Sequence, residues 1–414
     1  MESLKREPRS SHVGSPIPVG VSWDRLYRWQ FPGTATASLS QNYTGGLAMS
    51  RMLLAPRRYV QGAGAINEIG THAARLGTKA LLTGGKKALT VCGETIRTGL
   101  ASSKVGCHQE GFNGECSDNE INRLIDIAKA QGADLVLSAG GGKVIDTGKA
   151  VAYEMKIPVI IVPTIAATDA PCSALSVIYT ADGVFDRYLV LPNNPDCVLV
   201  DTTIVANAPV ELLVSGMGDA LATFWEADTC AKSCKPNALT GATPPTLSAV
   251  ALARLCYDTL LEYGFQAKLA VERKSVTPAV EAIVEANTLL SGLGFESGGL
   301  AGAHAVHNGL TVLESTHEKY HGQKVAFGVI TQLVMEGRLL KDVEEVINFC
   351  LNVGLPVTLE DCGVKDPTAA DIRKVAEATT AEGETIHSTW FTVTADAVES
   401  AIWAADSLGK AHIR

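Results

Sequence analysis

Between Tyr59 and about residue 208 the chain alternates short apolar runs with helix-like segments, and this rhythm restricts its fold more than any other feature. "KALLTGG" (79–85), "ADLVLSAGGG" (133–142) and "IPVIIVPT" (157–164) are largely apolar and too short for helices, as buried strands are. "SDNEINRLIDIAKAQG" has Ser117 as a cap, Glu120 three residues later and Gly132 at its end, and "KVIDTGKAVAYEM" follows the second apolar run. Both read as helices. Such alternation builds βαβ units, a parallel sheet and a ligand crevice outside the carboxyl ends of the strands. "SALSVIYTADGVFDRYLVLP" then reads as a hairpin turning at Asp182-Gly183.

After Pro209 strand signals stop, and "PVELLVSGMGDALATFWEADTCAKS", "TLSAVALARLCYDTLLEYGF" and "TPAVEAIVEANTLLSGLGF" carry helical spacing. The expected architecture is an α/β domain over 49–208 followed by an all-helical domain over 209–414. Residues 1–48 are rich in Ser, Pro and Gly and include Glu2, Glu7 and Asp24, which an organellar leader tends to avoid. A disordered N-terminal extension is expected there.

Charge and composition narrow the partners. A net charge of −9 without a basic stripe argues against nucleic acid and membrane surfaces. No apolar run reaches the roughly 20 residues that span a bilayer. Ten cysteines are scattered without a CxxC pair, which fits reduced, mostly buried thiols in the cytoplasm. Cys230 and Cys234 can share a helix face, but two sulfurs alone make a weak metal site.

In "SAGGGKVIDTGKA" three glycines, Gly140, Gly141 and Gly142, separate a strand from a helix. Glycines let a ligand approach the backbone closely, and the helix N-terminus offers free N–H groups to a pyrophosphate. The run lacks the GxGxxG pattern, so a plain tight turn is the competing reading. Lys143 can reach a phosphate or ribose, and Asp146 lies one turn into the helix. "PTIAATDAPCSALSVIY" (163–179) is a second loop of small and hydroxyl residues, Thr164, Ala167 and Thr168 among them, at the next strand end. Two such loops face one crevice. Asp169 is the acid of that loop, with room either to enter a site or to cap a turn.

Four of the nine histidines, His304, His307, His317 and His321, fall within eighteen residues. Positions 304 and 307 lie about 60° apart on a helix, among Ala301, Ala303, Ala305 and Val306. Two idle imidazoles are costly to bury there. Asp219, in the small-residue run "SGMGDALATFWEA", supplies a carboxylate, and Ser215, Gly216 and Gly218 leave room for a ligand. Asp219, His321 and either His304 or His307 would leave an open fourth position, as in catalytic zinc sites.

Together, "GGGKVIDTGKA", "PTIAATDAPCSALSVIYT", "SGMGDALATFWEA" and "GGLAGAHAVHNGL…HGQKVAFG" resemble the glycerol dehydrogenases of the iron-containing alcohol dehydrogenase superfamily. The resemblance runs from about Arg51 to near the C-terminus. It implies a dehydroquinate synthase-like architecture, with the α/β domain binding NAD and the helical domain binding one metal ion per subunit. It implies Asp219, His304 and His321 as metal ligands, with His307 beside them and His317 in a solvent-facing loop. Asp169 matches the family's substrate-binding aspartate, and these four residues form the expected catalytic and substrate-binding set. Nicotinamide-dinucleotide contacts fall on Gly142, Lys143, Thr164, Ala167, Ser173, Leu175 and Tyr179.

Thr223 stands where iron-dependent relatives carry a further histidine, which implies the zinc-using branch. Gly84-Gly85-Lys86 stands where an acid often holds the adenosine ribose; NAD remains the expected cofactor. The resemblance implies a cytoplasmic, homo-oligomeric enzyme that oxidises glycerol to dihydroxyacetone by zinc-assisted hydride transfer, with other small vicinal diols as possible substrates. Two superfamily alternatives, a dehydroquinate synthase-like lyase and a glycerol-1-phosphate dehydrogenase, must hold a phosphate or phosphonate. Segments 215–226 and 297–316 contain no Arg or Lys for that purpose. A non-enzymatic dinucleotide sensor with a structural metal calls for a fourth protein ligand.

Overall fold

The computed structural model describes residues 50–242 and 244–413, so the expected extension over 1–48 lies outside the described residues. Among the described residues eight strands form: β1 (Tyr59–Gly62), β2 (Lys79–Gly84), β3 (Gly106–Gly111), β4 (Leu135–Gly140), β5 (Val159–Pro163), β6 (Leu175–Tyr179), β7 (Phe185–Val190) and β8 (Cys197–Asp201). Six of them pair in parallel in the order β1-β8-β5-β4-β2-β3, while β6 and β7 form a separate antiparallel hairpin. Helices α1 (Ile69–Ala73), α2 (Lys86–Ser102), α3 (Asp118–Gln131) and α4 (Gly142–Met155) connect the strands. Ser117 caps α3 by accepting the Glu120 amide, and Gly132 ends that helix at φ 65°, the left-handed turn that glycine adopts without strain.

Strand residues alternate between two cores. Leu81, Val136, Ile161 and Val198 face a core that continues into the helical half of the molecule. Ala80, Leu82, Leu135, Leu137, Ile160 and Leu199 face a smaller one under α1 and α2. A sheet covered on both sides explains why its strands read as nearly continuous apolar runs.

The strand order also creates a crevice. β2 and β4 are neighbours, with Gly84 opposite Ala139, yet β2 leads through α2 outward to β3 and β4 leads through α4 to β5 on the other side. This is the topological switch point at which open α/β sheets bind ligands.

From Thr202 onward the described chain is helical: α5 (Thr202–Asn207), α6 (Val210–Ser233), α7 (Leu247–Glu272), α8 (Pro278–Glu285), α9 (Ser291–Gly298), α10 (Gly302–Leu310), α11 (His321–Met335), α12 (Leu340–Val353), α13 (Ala369–Thr379) and α14 (Ala395–Ile413). A π-helical turn, Ala286–Leu290, joins α8 to α9. Among the described residues no helix is long and apolar enough to cross a membrane.

Helix α6 is buried on nearly all sides, and its small residues serve packing. A Cβ on Gly216 would lie 1.9 Å from the Ala166 carbonyl oxygen, and one on Gly218 would lie 2.2 Å from that of Gly322. These glycines therefore admit neighbouring backbone, where the sequence reading has them admitting a ligand. Asp219 sits in the middle of α6.

All ten cysteines are free thiols, eight of them buried. Cys234 is exposed and caps α6 in a left-handed conformation, so it does not share a helix face with Cys230.

Candidate active site

Two ligand-facing regions come from different kinds of structure. At the sheet crevice, β4 ends in Gly140 and α4 begins at Gly142 after an extended Gly141. The Thr164 amide donates to the Gly140 carbonyl at 3.1 Å, and Thr168 Oγ1 lies 3.8 Å from where a Gly142 Cβ would project. Lys143 pairs with Glu115 and lies over the Tyr179 ring, 5.3 Å from its centroid. Gly140, Gly141, Gly142, Lys143, Thr164, Thr168 and Tyr179 thus gather around one helix N-terminus.

Asp146 lies one turn further into α4. It is buried, pairs with Lys149 at 2.9 Å and accepts the Val177 amide at 3.0 Å. Lys149 in turn donates to the carbonyls of Ala170, Ser173 and Leu175. This buried pair ties α4 to the loop that carries Ala167, Asp169, Ser173 and Leu175. Asp146 therefore braces the crevice wall through Lys149 and Val177.

In the helical half, Asp219 from α6, His304 from α10 and His321 from the first turn of α11 converge. His321 Nε2 is 3.0 Å and His304 Nε2 3.3 Å from Asp219 Oδ1, and one ligand atom from each lies within 4.8 Å of the others. Each histidine holds its other nitrogen elsewhere. His304 Nδ1 meets Glu226 Oε2 at 2.6 Å, and His321 Nδ1 meets His307 Nε2 at 3.0 Å. His317 is exposed, with its ring on the Thr311 carbonyl.

Asp169 adjoins this cluster: its amide donates to Asp219 Oδ2 at 3.3 Å, and its Oδ2 accepts from the Ser291 hydroxyl at 2.8 Å. Thr223 Oγ1 lies 2.8 Å from the same hydroxyl.

The electrostatics favour positive charge at the centre. Burial opposes ionisation of Asp219, but the charge of His321 and hydrogen bonds from His304 and His321 outweigh it and hold the carboxyl far below its usual range. Burial likewise opposes a charged His304, yet Glu226 and Asp219 raise that imidazole well above its ordinary value. Burial and the neighbouring Asp219 charge push Asp169 well up. Burial, with the charge of His321, depresses His307.

With this geometry in view, relatives decide the family. The model of the family described as "Iron-containing alcohol dehydrogenase" matches residues 56–202. A glycerol dehydrogenase of Thermotoga maritima is 55% identical over 356 residues, spanning 86% of this chain and 96% of its own. The chain belongs to the iron-containing alcohol dehydrogenase family. A glycerol dehydrogenase of Citrobacter freundii is 51% identical over 362 residues, 87% of this chain and 99% of that one. The crystal structure of a probable glycerol dehydrogenase from Sinorhizobium meliloti 1021 superposes with a TM-score of 0.82 at 43% identity, covering 87% of this chain and 99% of that one.

Several side chains that build this family member's site escape a reading of the sequence. Glu226 is fully buried, and its Oε1 accepts the amides of Ala301 and His304 while Oε2 takes the His304 ring. Its signal was position alone, seven residues and two turns after Asp219 on one helix. Ser291 and Asn287 are four apart across the π turn. Asn287 donates to the carbonyls of Ala166 and Leu213 while Ser291 holds Asp169. Nothing in "EANTLLSGLG" marks a π turn, which arises where packing inserts an extra residue into the helix.

Proposed function

We propose that the protein catalyses the NAD-dependent oxidation of glycerol at its central carbon to dihydroxyacetone, and the reverse, with one zinc ion per subunit. Other small vicinal diols belong to the same substrate class. The observation that carries the reading is the meeting of Asp219 Oδ1, His304 Nε2 and His321 Nε2 with Asp169 alongside. A carboxylate and two imidazoles form a donor set suited to zinc with an open position. The fit is supported by His304, whose surroundings stabilise a positive charge between two carboxylates; a cation at its Nε2 meets the same need.

Lewis-acid polarisation of a substrate hydroxyl is the chemistry that zinc supplies when bound. The hydride acceptor is the nicotinamide ring. The protein's own groups orient the reactants. Glu226 fixes the His304 ring, leaving Nε2 toward the site. Ser291 occupies Asp169 Oδ2, so Oδ1 is the oxygen offered to a second substrate hydroxyl, and this selects diols over simple alcohols. The backbone N–H groups at the start of α4 receive the dinucleotide pyrophosphate, with Lys143, Thr164, Thr168 and Tyr179 around it. Ala167, Ser173 and Leu175 belong to the same binding wall.

A phosphorylated substrate is disfavoured by the same surroundings. Segments 215–226 and 297–316 carry no Arg or Lys, and Lys324 is buried. Free thiols support a reducing, cytoplasmic setting. Exposed Leu247, Leu255, Phe265 and Leu269 on α7 support assembly into a homo-oligomer.

The test is NADH formation with glycerol, 1,2-propanediol and ethanol, for the wild type and Asp169→Asn. Diol-selective turnover that the variant loses through a raised KM for the diol supports the reading. Equal turnover of ethanol, or an unchanged glycerol KM in Asp169→Asn, contradicts it.

A further inference from the structure

The cluster of Asp219, His304 and His321 is closed at one end and open at the other. The Asp219 side chain is 1% exposed, that of His304 13% and that of His321 36%. Asp169 is buried and shares the closed end with Asp219. Toward the open end α10 carries Asn308, four residues beyond His304 and half-buried. Residues four apart are neighbours on one helix face, with Cβ atoms about 5–6 Å apart. Opposite stands the exposed strand β7, whose Tyr188 phenol approaches the Asn308 side chain and feels the charges of Glu384 and His304. Asn308 therefore faces the cleft between the sheet and the helices, one turn outward from His304.

The side-chain amide of Asn308 is held in one orientation. Its Nδ2 carries two N–H bonds, and a carboxylate only accepts. One N–H goes to Glu384 Oε2 at 3.0 Å, while Oδ1 meets His307 Nδ1 at 3.0 Å. Glu384 is itself pinned, because it immediately precedes the 3₁₀ turn Thr385–Ser388 and accepts the Thr385 amide. The second N–H of Asn308 is left for a partner on the cleft side. That partner is neutral, since the Glu384 carboxylate next to it repels an anion and segment 297–316 holds no Arg or Lys to offset the repulsion. A hydroxyl oxygen fits this description.

The proposed reaction uses two hydroxyls of the substrate, one at the metal position and one at Asp169 Oδ1, both toward the closed end. A three-carbon triol oxidised at its centre has one terminal hydroxyl left over, and it extends toward the open end. We infer that Asn308 is a specificity-determining residue whose amide, oriented by Glu384, receives the third hydroxyl of glycerol and so favours the triol over diols that end in a methyl group. The inference rests on the proposed zinc-dependent diol oxidation and adds the group that separates glycerol from 1,2-propanediol within it. A site built to hydrogen-bond a hydroxyl rejects the analogue that lacks it, because its donor is then left unpaired. One neutral hydrogen bond in a half-open site corresponds to a preference of about fivefold.

The experiment uses the zinc-loaded full chain as the wild type, Asn308→Ala, Glu384→Ala and Glu384→Gln. Two quantities are read for glycerol and 1,2-propanediol: the ratio of their kcat/KM values, and the ratio of their dissociation constants by calorimetry with NADH bound, where no oxidation proceeds. The wild type should favour glycerol by about fivefold in both. Asn308→Ala and Glu384→Ala should bring both ratios close to one, with the change in KM and not in kcat. Glu384→Gln, whose carbonyl oxygen still accepts from Asn308, should restore the preference, a rescue that a merely structural role does not explain. The inference is overturned if the wild type does not favour glycerol. It is equally overturned if Asn308→Ala keeps the preference, or weakens both polyols alike, as it would if the amide served only to hold Tyr188. If the wild type neither binds nor oxidises either polyol, the proposed diol oxidation fails and this inference falls with it.

Discussion

At the end of β4 the protein offers a ligand its backbone: three glycines and the opening N–H groups of α4. In the helical half it offers side chains, with Asp219, His304 and His321 brought from three helices to a common point. The first arrangement is local. Its parts are consecutive in the chain, and most neighbouring side chains can change without moving the groups that bind. The second is distributed over about a hundred residues and works only if α6, α10 and α11 approach closely. Gly218, Gly322 and Gly328 permit that approach, since a Cβ on any of them would meet the backbone of a neighbouring one of these helices at 1.8 to 2.3 Å. The side-chain site is therefore sensitive both to ligands removed and to atoms added where its helices meet, whereas a Cβ added to the backbone site at Gly142 finds room in the fold and would intrude only on a bound ligand.

The comparison can be broken most directly at the proposed metal ligands. Asp219→Ala should lose zinc and lower kcat/KM by on the order of a thousandfold, since metal polarisation contributes several kcal/mol to the transition state. Zinc content and turnover measured on the same preparation check this, and a zinc-free variant with full activity would sink it. Glu226→Gln should weaken zinc binding by roughly 10–100-fold, because an amide can present an N–H to His304 Nδ1 and force the wrong tautomer; zinc titration reads the effect.

Two glycine substitutions sharpen the contrast. Gly216→Ala should cost about 1–3 kcal/mol or more of stability through overpacking against the Ala166 carbonyl, seen as a lower urea midpoint. Gly142→Ala has room for its Cβ, with no neighbour closer than 3.8 Å, and should leave that midpoint alone. It should instead raise the KM for NAD by about tenfold, as a charged hydrogen bond worth about 1.5–3 kcal/mol is disturbed. Equal loss of stability in both variants would erase the distinction. The smallest effect belongs to Lys143→Ala. Its half-exposed pair with Glu115 is worth no more than about 1 kcal/mol, so the KM for NAD should change less than about fivefold.

The same contrast governs what could be seen in the chain before folding. The strand–glycine–helix unit was legible because its signals are local: an apolar run, Gly140 to Gly142, and a helical period. The cluster of Asp219, His304 and His321 was partly legible, since a carboxylate and crowded histidines are unusual in apolar sequence. The spacing alone did not decide between His304 and His307. That choice depends on which ring faces Asp219 once α10 docks, and there His307 turns to His321 and Asn308 instead. Asp146 shows the limit of a local reading, because one helical turn into α4 is also the right distance for a clamp. Its burial with Lys149 depends on a loop about thirty residues further on. Glu226 and Ser291 carried no local mark at all; only tertiary packing brings each to its partner.

The most direct test of the account is a zinc titration of the stripped protein, with glycerol-dependent NADH formation followed at each addition. The account predicts negligible activity without metal, a linear rise that saturates at one zinc per chain, and a negligible response to ethanol throughout. Undiminished glycerol oxidation in the stripped protein, or saturation that persists unchanged in Asp219→Ala, would contradict it.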